Sequence, residues 1–336
     1  MTMWSELHEQ ADVVERLAER VSDPSSTAAR LLQEHRGPVL GVGRGTSDNA
    51  LRYAQYVWGQ RLRLSVGLAV PALHSRYGSS PDLSGALIVG VSQSGRSPDL
   101  LTVLEDGRRQ GCRVLVVTND AASPMAEMAD AVVDLAAGPE LAVAATKSYT
   151  AQLAAIAGLS AGDEGRDDLL GVSDDVRATL AEADRFAANG ELLGTATRCM
   201  VIGRGMHFAS AHEWALKLQE LANIVAQPLS AADLRHGPIA AADEQLLALI
   251  VTTSGAVHDD VREAAEELRR RGANVVAITD DATFPADQVL QVQSAPEWLA
   301  PLVVAPAIQA FAHGAARARG FDPDRPRGLA KVTLTS

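Results

Sequence analysis

The chain of 336 residues carries a net charge of −12 and is 47% hydrophobic, which gives room for two domains of ordinary size with real cores. That acidity, with no stripe of Lys and Arg, argues against nucleic acid or an acidic membrane as partner, but not against an anionic small molecule held by local N–H groups and hydroxyls. No basic-then-apolar leader opens the sequence, no apolar run of about twenty residues spans a membrane, and Cys112 and Cys199 read as buried free thiols, so a reducing, cytoplasmic setting is expected.

Residues 1–35 read as helices, with Val13, Val14, Leu17 and Val21 at helical spacing until Asp23-Pro24 breaks the run. From 36 to 162, short apolar runs near 38–42, 64–68, 85–91, 112–117 and 131–135 alternate with amphipathic stretches. Runs such as Ala86-Leu87-Ile88-Val89-Gly90-Val91 suit strands buried on both faces of a parallel sheet. A charged, glycine-containing linker and a helix fill 163–190. A second domain follows over 191–320, with strands near 199–203, 246–252, 273–278 and 288–292. The last stretch, 321–336, is a basic, proline-broken tail, read as an arm closing over a site.

The two domains repeat one another. Val42-Gly43-Arg44-Gly45 returns as Ile202-Gly203-Arg204-Gly205, and Ser94-Gly95 returns as Ser254-Gly255. The stretch from Gly111 to Thr118 returns from Gly272 to Thr279, the offset staying at 160 or 161. Fused copies of one α/β unit are free to diverge, so function is sought in their differences.

In parallel sheets, ligands bind beyond the carboxyl ends of the strands, where helix N-termini offer N–H groups. The first copy places Gly45-Thr46-Ser47 after one strand and Ser92-Gln93-Ser94-Gly95-Arg96-Ser97 after another. Hydroxyls are preferred helix caps whatever binds there, but this many exceed what capping needs, and a phosphate fits them. In the second copy the loop reads Thr252-Thr253-Ser254-Gly255-Ala256-Val257-His258-Asp259-Asp260. Valine replaces Ser97, and two acids would repel a dianion. One phosphate site is expected, in the first copy. The glycines at 41, 43 and 45 do not make a dinucleotide fingerprint, because Asp48 stands where its last glycine belongs. His212-Glu213 is not a zinc helix, because Leu216 holds the partner position. No metal and no cofactor are expected.

The second copy carries the acid–base groups. A helix near 207–224 sets Phe208, Ala211, Ala215, Leu218 and Leu221 on one face and Glu213, Lys217 and Glu220 on another. By periodicity alone that charged row reads as a solvated salt-bridge stripe. His236, in Leu234-Arg235-His236-Gly237-Pro238, sits on a constrained loop rather than a core face, a weak catalytic signal by itself.

As an ordered set, several stretches resemble the sugar isomerase (SIS) family: Gly45-Thr46-Ser47, Ser92-Gln93-Ser94-Gly95, Val143-Ala144-Ala145-Thr146-Lys147, Lys217-Leu218-Gln219-Glu220, Leu234-Arg235-His236-Gly237-Pro238 and Leu329-Ala330-Lys331. The likeness covers nearly the whole chain and extends to the isomerase half of glutamine–fructose-6-phosphate aminotransferase and to SIS-type glucosamine-6-phosphate deaminases. It implies two tandem α/β domains, each a parallel five-stranded sheet flanked by helices in a three-layer, flavodoxin-like arrangement. It also implies that Thr46, Ser47, Ser92, Gln93, Ser94 and Ser97 hold the phosphate and sugar, with Val143, Ala145 and Ala330 beside them. Glu220 would move a proton between C1 and C2, His236 would open the ring from a partner subunit, and Lys217 and Lys331 would complete the site. The implied partners are a small sugar phosphate and a second copy of the chain in a homodimer.

Such chemistry needs these residue types: a carboxylate to shuttle the proton, a group titrating near neutrality, and a cation beside the developing oxyanion. Three departures from the aminotransferase matter. No glutaminase domain or N-terminal Cys nucleophile is present, so ammonia is expected to be free or released. Ala145 stands where the synthase has Ser, and the tail after Lys331 is one residue short. The resemblance thus points to isomerisation and deamination of glucosamine 6-phosphate, or the reverse. Alternatives are loss of the 3-hydroxyl from an N-acetylated substrate (a dehydratase), a fructosamine-6-phosphate deglycase, and a sensor without catalysis.

Overall fold

A computed structural model describes residues 2–331. The described chain divides into two compact units, each drawing on separated stretches. The first-copy unit holds 12–140, 147–171 and the chain from 330; the second-copy unit holds the chain up to 11, with 141–146 and 172–329. The expected closing arm reaches the described residues only as far as Lys331; its last five residues lie outside them.

The first-copy unit is built on five strands: β1 (Val39–Val42), β2 (Val66–Leu68), β3 (Leu87–Ser92), β4 (Arg113–Thr118) and β5 (Ala131–Asp134). They pair in parallel in the order β2-β1-β3-β4-β5. All six residues of β3 are buried, as its uninterrupted apolar run requires for a strand covered on both faces. Ile88, Val114 and Val116 pack with Leu100, Val103, Leu104 and Met125 on one side of the sheet. The helices Thr46–Leu62 and Lys147–Ala161 belong to the same unit, and all fifteen residues of the latter are buried. Trp58 is fully buried and donates its indole N–H to the Ile156 carbonyl at 2.8 Å.

The second-copy unit repeats the plan with β6 (Arg198–Gly203), β7 (Ala226–Ser230), β8 (Leu246–Val251), β9 (Asn274–Thr279) and β10 (Gln288–Gln291). Their order is β7-β6-β8-β9-β10, again all parallel. Each strand therefore has a counterpart in the first copy. Trp214 on the helix His207–Ala222 is fully buried and meets Phe311 edge-on, ring centroids 5.1 Å apart. The expected α/β class with two parallel five-stranded sheets is what the structure has.

β7 carries no strand signal in the sequence. Pro228 stands in its middle, and proline reads against a strand because it cannot donate to the ladder. β7 lies at the end of its sheet, where a missing donor is tolerated. Both cysteines are buried and free, and burial pushes the Cys199 thiol up to about 12. Among the described residues, no helix is long and apolar enough to cross a membrane.

Candidate active site

In each sheet the strand order reverses once, between β1 and β3 and between β6 and β8. Such a switch point leaves a crevice beyond the carboxyl ends of the two strands. In the first copy, the loops leaving β1 and β3 are the two hydroxyl-rich ones. Thr46 and Ser47 open the helix Thr46–Leu62, and Ser97 precedes the helix Pro98–Arg109. Neither helix has a side-chain cap bond, so capping does not account for the hydroxyl at Ser97. Arg44, leaving β1, bridges to Asp99 in the first turn of the second helix at 2.6 Å, tying the two loops together.

The loop after β3 is held from within. The Ser92 hydroxyl accepts the Gly95 N–H at 3.0 Å, and the Gln93 carbonyl accepts the Asn119 N–H at 3.2 Å. Gly95 adopts φ +63°, and a Cβ there would lie 2.1 Å from the Ser123 hydroxyl, so only glycine fits. Ser47 is buried and its oxygen accepts from the Gln152 amide at 3.0 Å. Gln93, Ser94 and Ser97 are half-buried at the mouth of the loop.

The matching loop of the second copy is occupied by its own acids. Asp280 accepts the Ser254 N–H at 2.8 Å, and Glu297 accepts the Ala256 N–H at 3.1 Å. The repulsion expected from Asp259 and Asp260 is thus joined by carboxylates already seated on the loop's N–H groups. The lone signal for Glu297 in the sequence is a glutamate after Pro296, which says nothing of where its carboxylate goes. Beside this loop, His207 is buried with Nε2 2.8 Å from the Thr253 hydroxyl. Burial, against the pull of Asp280, brings its pKa down to about 4.

The helix His207–Ala222 overturns one expectation. Glu213 and Lys217 are fully buried, and the row they form with Glu220 is not a solvated stripe. The Lys217 ammonium lies 3.2 Å from Glu213 Oε1 and 2.6 Å from Glu220 Oε2. Mutual neutralisation is what admits these charges to the interior, since an unpaired buried ion costs several kcal/mol. Burial opposes the ammonium, but the two carboxylates outweigh it and hold Lys217 above the ordinary lysine range. Glu220 is 24% exposed while its two partners are at 0%. The cluster, net −1, therefore shows solvent one carboxylate with a cation fixed beside it.

The remaining expected residues divide between the units. His236 is exposed on the turn after the short helix Ala231–Leu234, its N–H bonded to the Asp233 carbonyl at 3.0 Å. Val143 and Ala145 are half-buried in the 141–146 segment of the second-copy unit. That segment is held by Glu6, a buried residue whose Oε2 accepts the Ala142 N–H at 3.1 Å. Ala330 and Lys331 belong to the first-copy unit, where the Lys331 ammonium lies 3.0 Å from Glu140 Oε2. Glu140 went unrecognised in the sequence, where nothing marks a lone carboxylate as buried.

The sequence pattern of the SIS domain matches residues 70–159 and 192–311, and the chain belongs to that family. Over 314 residues it is 35% identical to the glutamine–fructose-6-phosphate aminotransferase [isomerizing] of Streptomyces coelicolor, covering 87% of this chain and 51% of that one. The chain thus spans about half the length of the curated relatives it matches. Among solved structures, the C-terminal domain of glucosamine-fructose-6-phosphate aminotransferase from Francisella tularensis superposes with a TM-score of 0.88 at 25% identity, covering 96% of this chain and 98% of that one. A glucosamine-6-phosphate deaminase from Thermotoga maritima shares the fold, with a TM-score of 0.76 at 18% identity and full coverage of both chains.

Proposed function

We propose that the protein is an amino-sugar 6-phosphate isomerase/deaminase converting glucosamine 6-phosphate and water to fructose 6-phosphate and ammonia, or running the reverse with free ammonia. The observation that carries the reading is the Glu213–Lys217–Glu220 cluster, which presents one carboxylate paired with a permanent cation. The name of the aminotransferase relative, with its isomerizing activity, supports the same reading.

The phosphate is held by Ser92, Gln93, Ser94, Ser97, Thr46 and Ser47. His236 of the partner subunit opens the ring, freeing an aldehyde at C1 and leaving the amine at C2. Glu220 takes the C2 proton, giving an enolamine whose C1 oxygen gains negative charge, and Lys217 stabilises that charge. Glu220 returns the proton to C1, leaving an imine at C2 that water hydrolyses to the ketone and ammonia. Lys331 completes the charge around the reacting carbons, and Val143, Ala145 and Ala330 line the sugar.

The test is a panel of hexosamine 6-phosphates, free and N-acetylated, with products identified by NMR and mass spectrometry. Fructose 6-phosphate and ammonia from glucosamine 6-phosphate support the reading. Loss of water from the N-acetylated sugar alone replaces it with dehydration by the same base, and binding without turnover replaces it with a sensor.

A further inference from the structure

The sequence contains three lysines, Lys147, Lys217 and Lys331, among its thirty lysines and arginines. Arginine does the ordinary work of surface charge, so the lysines mark places where a compact, movable ammonium is required. Lys147 and Lys217 are fully buried, while Lys331 is 25% exposed. Lys331 lies on a stretch without helix or strand, so ordering its four-carbon side chain costs rotamer freedom.

A carboxylate that holds it, Glu140, is 191 residues away in sequence. The Glu140 side chain is fully buried, a poor place for a carboxylate unless donors surround it. Three do. The Ser148 N–H donates to Oε1 at 3.0 Å, the Ser148 hydroxyl to Oε2 at 2.6 Å, and the Lys331 ammonium to Oε2 at 3.0 Å. Ser148 is the second residue of the helix Lys147–Ala161, so the rigid end of a buried helix orients Glu140, and Glu140 orients Lys331.

We propose that Glu140 is the positioning residue for Lys331, holding its ammonium in the place where it serves the reacting sugar. This rests on the functional reading above. Glu140 touches no substrate; it acts through the lysine, and removing either partner should have the same consequence for turnover.

The test compares Glu140→Gln, Lys331→Met and the double variant in the full chain, with thermal melting to establish folding. Substrate turnover is measured with glucosamine 6-phosphate, and binding with glucitol 6-phosphate, which has no carbonyl to react. The expected result is a fall in kcat of roughly ten-fold or more in Glu140→Gln, with glucitol 6-phosphate affinity within about two-fold. Lys331→Met should match it, and the double variant should be no worse than the poorer single. Losses that multiply in the double variant, or unchanged kcat in Glu140→Gln, overturn the proposal. Should Glu140→Gln fail to fold, Ser148→Ala loosens the same carboxylate while keeping both charges; a drop in kcat without a change in KM supports positioning, and no drop overturns it. With lysine labelled at Cε, three lysine signals are expected, and that of Lys331 is the one lost in Lys331→Met. That signal should move in Glu140→Gln, where its charged partner is lost; an unmoved signal overturns the pairing. That readout needs no turnover, so it stands even if the amino-sugar phosphate reading fails on the wild-type protein.

Discussion

The carboxylate of Glu297 fills the space a side chain on Gly255 would need, its carbon 2.5 Å from where that Cβ would stand. At Gly95, the corresponding glycine of the first copy, the same space faces the neutral hydroxyl of Ser123. Two loops of one ancestry thus differ in whether an anion is built in.

Phosphate binding should therefore depend on the first copy alone. Ser92→Ala with Ser97→Ala is expected to weaken glucitol 6-phosphate several-fold or more, since a hydrogen bond to a charged group is worth about 1.5–3 kcal/mol. Val257→Ala, at the matching place in the second copy, should leave the affinity alone. Titration calorimetry on the three proteins decides it, and equal losses from both copies would remove the asymmetry.

Glu220→Gln keeps the size of the side chain and discards the base. Ligand affinity should persist while turnover falls by roughly 10²-fold or more. Exchange of the C2 proton with heavy water, followed by NMR, should vanish. Exchange at the wild-type rate would place the base on another residue.

If His236 serves the neighbouring subunit, two dead proteins should revive one another. Mixing Glu220→Gln with His236→Asn and allowing subunits to exchange makes about half the dimers hybrid, each with one intact site. Recovery near a quarter of the wild-type rate is expected. Labelling must show that exchange took place; a mixture that exchanges and stays inactive means His236 acts within its own chain.

His207 links the second copy to pH. Its folded-state value of about 4 lies below the ordinary 6.5, so between those values the unfolded chain binds a proton that the native protein refuses. Its contribution is fully present above pH 6.5 and is lost as pH falls towards 4, by about 3 kcal/mol over that window. Urea unfolding at several pH values should show wild type losing more stability than His207→Gln on acidification. Parallel pH profiles would mean His207 titrates normally in the folded protein.

Most of this architecture was legible because strands buried on both faces leave continuous apolar runs, as at β3 and β8. The strand β7, the counterpart of β2, was not legible from its own residues, because Pro228 stands in its middle; the count of five strands came with the family resemblance. The site was legible less evenly. Ser92 to Ser97 stood out as an excess of hydroxyls, whereas Glu213, Lys217 and Glu220 looked like a wet helix face. Spacing of charges does not distinguish a solvated row from a neutralised interior one; only burial does. Glu140 and Glu297 were invisible for a related reason, because each finds its meaning in a donor far along the chain.

The hold of Glu6 on Ala142 has a practical side for anyone handling the protein. The first few residues are a natural place to trim or tag, yet they carry the acceptor for the stretch bearing Val143 and Ala145. Because the chain passes between its two units at residues 11, 140, 146, 171 and 329, no single cut separates one copy whole from the other. A fragment ending at 171 would keep Lys147–Ala161 but lose Lys331, the ammonium on Glu140. Dissecting this duplication by truncation would thus damage both halves, and point substitutions are the cleaner scalpel.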